Sequence, residues 1–380
     1  MLLSSRLLRG WRSNQIDRAR LAELDAARPI DITFRSPSDD YEHVLLAIWQ
    51  EVLRVPKIGI DDDFFELGGD SLGALTVFAE IETQLGYSLS PTTIVQAPTI
   101  ARLAEFIRTA AGTAASHSLV PLRASGTDLP LFLVSGEGLL AMFFRHLVRD
   151  LKSDRPVFGL QPPPLDGKYH IARTVESMAA DYVSQIRRIQ PKGPYFLAGH
   201  SFGGRVCVEM AQQLVRAGEN VSFLGLIDTG LRDPGVEGRP WISEAVHLSR
   251  RVRAVDGFQD LLHRGLTFVG HALLDLWIRQ GRSIPYRYRS AYYQWLCKRA
   301  DLKHVSKPYP GHVIIFRSAF GADSSEWHRA RWAPLARGGL TVLEVPAGHL
   351  DIVLPPHSKL LAEHFDACLD AAAPAEELAH

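Results

Sequence analysis

Residues 195–216 read YFLAGHSFGGRVCVEMAQQLVR, and the order of side chains in this stretch decides the architecture around it. Tyr195–Ala198 is a short apolar run of strand length, and Val206, Cys207, Met210, Ala211 and Leu214 recur at helical spacing after it. Between them lies Gly199-His200-Ser201-Phe202-Gly203, a glycine two places before a serine and another two places after. A strand that passes into a helix through so few residues must turn sharply. Only residues without a β-carbon leave room on either side of the serine. The hydroxyl of Ser201 is then thrust out at the carboxyl edge of the sheet, and the N–H of Phe202, at the helix start, faces the space beside it.

The same texture continues on both sides. Leu131–Val134, Val157–Leu160, Phe223–Ile227, Val313–Phe316 and Thr341–Val345 are further short apolar runs. Helical stretches separate most of them, the clearest carrying Val175, Met178, Ala179, Tyr182, Val183 and Ile186 on one face behind the cap Thr174. Strands alternating with helices predict an α/β domain with a mostly parallel sheet covered on both faces. One interval, Pro240–Lys307, breaks the rhythm. It is long, helical in pattern and rich in Trp241, Phe268, Leu273, Leu274, Trp277, Tyr292 and Trp295, which suits either a lid or a plain helical layer.

A serine is a weak nucleophile until a base takes its proton, so the elbow implies a histidine and an orienting acid downstream. Of the 15 histidines, His349 follows the strand Thr341–Val345 directly, within Pro346-Ala347-Gly348-His349-Leu350, where a loop at the sheet edge reaches Ser201. His357 and His364 fall in the final helical stretch. Two acids suit the third position: Asp228, ending the strand Phe223–Ile227, and Asp323, in the loop after Val313–Phe316. Besides the Phe202 amide, a second donor for a developing oxyanion is expected from Ser135-Gly136-Glu137-Gly138, with Glu137 and Gly138 the candidates. Glu137 is an odd neighbour, since its carboxylate must face away from that charge.

Upstream the pattern is helical throughout. Val44, Leu45, Ile48, Trp49, Val52 and Leu53 share a face behind the caps Ser38 or Asp39, with Glu42 placed for a capping box. A second helix starts at Asp70 or Ser71 and stops at Gly86, and a third runs from Thr99 through Ile107. Pro56–Gly69 forms the long loop between the first two, and Ser71 is read as the N-cap of the second. Residues 110–118, AAGTAASHS, read as a flexible linker.

Composition narrows the function classes. Across 380 residues, 46% hydrophobic and 22% charged describe a soluble chain with a real core, long enough for two or three folded units. Lys+Arg and Asp+Glu are both 42, so charge gives no reason to bind nucleic acid or an anionic membrane. No apolar run approaches the roughly 20 residues that span a bilayer. Cys207, Cys297 and Cys368 lack metal-ligand or disulfide spacing and are expected to be reduced thiols in the cytoplasm, with no metal bound. The Arg-rich start (Arg6, Arg9, Arg12, Arg18 and Arg20 against Asp17) only loosely resembles a transit peptide.

Residues 62–75, DDFFELGGDSLGAL, resemble the peptidyl carrier proteins of nonribosomal peptide synthetases. That resemblance implies a small four-helix bundle in which Ser71 carries covalent 4′-phosphopantetheine. Residues 119–370 resemble the type I thioesterases that follow such carriers, through GHSFGG, LIDTG and PAGH. The resemblance implies an α/β-hydrolase fold with a helical lid, the catalytic set Ser201, His349 and Asp228, and oxyanion donors from Phe202, Glu137 and Gly138. It favours Asp228 over Asp323 because the family's acid commonly follows the strand after the nucleophile's helix. Ser135 departs from the family, standing where thioesterases often have histidine. Residues 13–21, SNQIDRARL, resemble the closing motif of adenylation domains, with Gln15 in place of its catalytic lysine, so residues 1–35 are expected to be a remnant or linker.

The expected layout is therefore a carrier over 36–110, a linker over 111–118 and a thioesterase over 119–373, its lid at about 239–307. The implied activity is release of a carrier-bound acyl or peptidyl chain through an acyl-serine, by hydrolysis or cyclisation. The implied partners are upstream synthetase modules and a phosphopantetheinyl transferase, with the chain a monomer. The competing reading is a carrier or scaffold with an inactive hydrolase domain; an unmodified carrier-like domain on a free-standing hydrolase is the third.

Overall fold

The computed structural model describes residues 34–87, 89–109, 118–163, 171–231, 270, 273–284, 286–321 and 324–372. Nearly all of the expected remnant and linker, about half of the expected lid, and Asp323 lie outside them. Among the described residues no helix is long and apolar enough to cross a membrane. They fall into two compact units.

The first unit is helical: α1 (Asp40–Leu53), α2 (Ser71–Leu85), the short α3 (Thr93–Gln96) and α4 (Ile100–Thr109). Asp39 caps α1 through the Glu42 amide, and the Glu42 carboxylate reaches back to the amide and hydroxyl of Ser38 at 2.8 and 2.7 Å, one residue earlier than a standard capping box. Leu45, Ile48, Trp49, Phe78, Ile81, Leu103 and Ile107 form the core, with Trp49 edge-on to Phe64 at 5.1 Å. Phe64 explains the double glycine before α2. A side chain at Gly69 would lie 2.5 Å from the Phe64 carbonyl oxygen and collide with its ring, while Gly68 has φ +89°, which disfavours other residues.

The second unit holds β1 (Leu119–Arg123), β2 (Leu131–Val134), β3 (Val157–Leu160), β4 (Tyr195–His200), β5 (Val221–Ile227), β6 (Val313–Ser318) and β7 (Leu340–Val345). They form one sheet in the order β1-β3-β2-β4-β5-β6-β7, parallel except for β1. The edge strand β1 was not among the sequence expectations. Pro121 interrupts it, which an edge tolerates because no further strand needs its N–H.

Alternate residues build separate cores on the two faces. Phe132, Tyr195, Leu197, Leu224 and Leu226 pack toward α5 (Val175–Ile189), α6 (Phe202–Arg216) and α7 (Tyr286–Lys303). Leu131, Leu133, Phe196, Ala198 and Phe223 pack toward the C-terminal α8 (His357–Ala372).

The expected lid needs correction at its far end. Tyr292 is fully buried in α7, with Leu296, Cys297 and Ala300, and Asp301 pairs with Arg205 of α6 at 2.7 Å. A helix that supplies core side chains and a buried ion pair is part of the body, not a cover. The register pairs His200 with Ile227, Ile227 with Phe316, and Ser318 with Val345, which brings the carboxyl ends of β4 to β7 to one rim.

Candidate active site

At that rim β4 turns into α6 at Ser201, whose φ of 53° and ψ of −120° depart from the regions open to L-residues. The bend has no spare volume. A β-carbon on Gly203 would sit 2.5 Å from the carbonyl oxygens of Val134 and Ser135, and one on Gly199 would strike the Gly203 carbonyl. Gly204 is equally confined, by Thr229. The Ser201 amide donates to the Ile227 carbonyl at 2.9 Å, which fixes the turn against β5. Holding such a conformation costs about 1–3 kcal/mol.

Asp228 follows the end of β5 and also has positive φ, 44°. Only three non-glycine residues among those described do so, and two of them lie here. Its amide donates to the Phe316 carbonyl at 2.8 Å, and its Oδ1 accepts the Ser318 N–H at 2.9 Å, so both neighbouring strands orient the carboxylate. Oδ2 lies 2.5 Å from His349 Nδ1. Burial by itself would raise the Asp228 carboxyl, but the hydrogen bonds from His349 and Ser318 outweigh it and hold the group below its ordinary range. A charged carboxylate on Nδ1 keeps the proton there and leaves Nε2 as the basic nitrogen.

The loop carrying His349 is itself tied down. Ala319 donates to the Val345 carbonyl, Phe320 to the Ala347 carbonyl, and Ile352 to the Gly348 carbonyl. The His349 ring lies 4.7 Å from that of His200, the residue preceding the serine. Ser201, Asp228 and His349 thus gather at one rim.

The oxyanion candidates divide. Phe202 is the first residue of α6, and its N–H belongs to the helix-terminal amides without an intrahelical acceptor. At Gly138 the space beside the α-carbon is taken by Gln294 and the Ser290 carbonyl of α7. Burial, with the Glu137 charge second, pushes the Cys297 thiol up to about 12, so that thiol is inert.

Two participants were not anticipated. Ser318 acts through its backbone, which no side-chain pattern reveals. His200 occupies the unspecified position of the serine motif, where only the fold shows that it is fully buried and bonded through Nε2 to the His349 carbonyl at 2.9 Å.

In the helical unit Ser71 is the first residue of α2 and not its N-cap. The cap is Asp70, whose Oδ1 accepts the Gly73 N–H at 2.7 Å. Asp70 and Gly68 are exposed, so the helix start is at the surface. A serine at the first position of a helix whose start is at the surface, where the dipole favours a phosphate, fits covalent 4′-phosphopantetheine.

Comparison with known proteins agrees with both halves. Residues 43–107 match the phosphopantetheine attachment site family and residues 130–264 the thioesterase domain family. A dimodular nonribosomal peptide synthase of Bacillus subtilis (strain 168) is 32% identical over 357 residues, 90% of this chain and 14% of that protein. Indigoidine synthase of Dickeya dadantii (strain 3937) is 39% identical over 207 residues, covering 54% of this chain and 14% of that protein. The chain thus spans about a seventh of these curated relatives. Among solved structures, a holo four-domain nonribosomal peptide synthetase bound to AMP and glycine superposes with a TM-score of 0.55 at 24% identity, over 93% of this chain and 28% of that one. Both domain families occur here in the order carrier then thioesterase, so the chain is a phosphopantetheine-attachment domain followed by a thioesterase domain, similar to parts of nonribosomal peptide synthetases.

Proposed function

We propose that residues 119–373 release an acyl or peptidyl chain held as a thioester on the carrier of residues 36–110, with Ser201 as nucleophile, His349 as base and Asp228 as its orienting acid. The observation that carries this reading is the 2.5 Å contact from His349 Nδ1 to Asp228, at the rim where the strained Ser201 stands. Ser71 is the attachment point for 4′-phosphopantetheine, which supplies the thiol that presents the chain.

His349 Nε2 takes the Ser201 proton as Oγ attacks the thioester carbonyl. The negative oxygen is met by the Phe202 N–H and, in our assignment, the Glu137 N–H. As the carbonyl re-forms, the thiol leaves with the proton from His349, and the chain remains as an ester on Ser201. Water, or an amine or hydroxyl of the chain itself, then attacks that ester with His349 again as base, giving a free acid or a ring. Upstream synthetase modules and a phosphopantetheinyl transferase are the partners of this reading. The three unpaired cysteines agree with a reducing cytoplasm.

Two labelling experiments test it. A fluorophosphonate probe should label the wild-type chain and leave Ser201→Ala unlabelled; labelling of both would remove Ser201 from the reaction. Coenzyme A with a phosphopantetheinyl transferase should add one arm to wild type and none to Ser71→Ala.

A further inference from the structure

His200 is fully buried, yet only one of its two ring nitrogens has a partner. Nε2 lies 2.9 Å from the His349 carbonyl oxygen. A carbonyl can only accept, so Nε2 carries the proton and Nδ1 is a bare lone pair. That lone pair has no hydrogen-bond donor and no access to solvent. It lies against the loop after β2, where a β-carbon on Gly136 would sit 3.0 Å from Nδ1 and 3.3 Å from the His200 carbonyl oxygen. One side of the ring meets His349 at 4.7 Å between centroids and another meets Phe143 at 5.0 Å.

A residue kept only to fill this space would be better served by an apolar ring, because an unmet buried acceptor costs about 1–3 kcal/mol. What the imidazole adds is the single Nε2–H bond to the backbone of the residue carrying the base. Its charge state suits that task. Burial first, and the neighbouring His349 second, push His200 down to about 4, so it stays neutral while His349 gains and loses a proton beside it.

We infer that His200 is a positioning residue for release: a neutral imidazole that braces the His349 loop against the elbow and, through Gly136, the oxyanion loop. The inference rests on the assignment of Ser201 and His349 as nucleophile and base.

The test compares His200→Phe, which keeps a ring without a donor, with His200→Gln, whose side-chain amide restores a donor near the Nε2 position. Saturation kinetics of fluorophosphonate labelling on the full chain separate the maximal labelling rate from probe affinity. Hydrolysis of p-nitrophenyl butyrate gives the matching kcat and KM. His200→Phe should lower the maximal rate and kcat by about 30- to 100-fold, the size expected of a misplaced base, with probe affinity and KM within about twofold. His200→Gln should recover most of the loss. Melting temperature is read alongside, and a rate recovered in His200→Gln at unequal stability still supports the bond. Wild-type rates in His200→Phe, or equal losses in both variants, would overturn the inference. Unlabelled wild type would instead overturn the assignment of Ser201 beneath it.

Discussion

Ser71 and Ser201 both stand where a helix begins, and both are assigned covalent chemistry, yet the chain sets them up in opposite ways. Ser71 sits one residue inside α2, and Asp70 takes the capping duty. Ser201 occupies the cap position of α6 itself but makes no side-chain capping bond, with its backbone forced to φ 53°. A hydroxyl that capped its own helix would be committed to an amide. The carrier gives the capping bond to the carboxylate of Asp70, and the hydrolase holds its serine in a strained turn. The difference follows the tasks. In the proposed function Ser71 has to be reached by a transferase, whereas Ser201 has to meet a base held by other strands.

The largest expected effect probes that second requirement. Asp228→Asn should lower turnover by about 10⁴-fold while the fold persists. The Ser318 N–H still demands an acceptor at Oδ1, so the new amide faces His349 Nδ1 and forces the proton onto Nε2, where it blocks the base. A loss below tenfold in p-nitrophenyl ester hydrolysis would contradict the role given to Asp228.

Acid should separate the two units next. His200 is pushed from 6.5 to about 4 by burial, so between these values the unfolded chain holds a proton that the folded chain refuses. Stability therefore falls as pH drops through this window, by about 3 kcal/mol for the full shift. Burial pushes His146 to about 4 as well, which adds in the same direction. The stability contributed by the lowered Asp228 is intact above its ordinary value of 3.8 and disappears below it. Calorimetry between pH 7 and 4 should show the thioesterase transition moving more than the carrier transition, with part of the slope lost in His200→Phe.

Smaller effects compare the serines directly. At Ser201 glycine should be more stable than alanine by about 1 kcal/mol, because only glycine adopts that backbone freely. At Ser71 the order should reverse by a few tenths of a kcal/mol, since there the residue is helical. The same order at both sites, measured by urea unfolding, would erase the distinction. Asp70→Ala should cost the carrier about 1 kcal/mol.

Much of this was legible in the linear sequence because it rests on local rules. Six of the seven strands were short apolar runs. The missed one, β1, is an antiparallel edge only five residues long and broken by Pro121. The long carrier helices followed from periodicity and caps, whereas the four-residue Thr93–Gln96 was too short to show a period. The cap of α2 was ambiguous from sequence because Asp70 and Ser71 are adjacent and both residue types cap helices, and the backbone enters the helix after Asp70. Asp228 had the right address at a strand end, but so did Asp323, and family likeness rather than geometry favoured the first.

The sequence by itself determined which residue types recur at strand ends and where glycine is obligatory, since both depend on neighbours a few positions apart. Only the tertiary structure decided that Asp228 reaches a histidine 121 positions away, that Gly138 packs against Gln294 of α7, and that His200 leans on the His349 loop. Those pairings depend on the lateral order of strands in the sheet, and that order comes from packing two faces at once rather than from any local run of side chains.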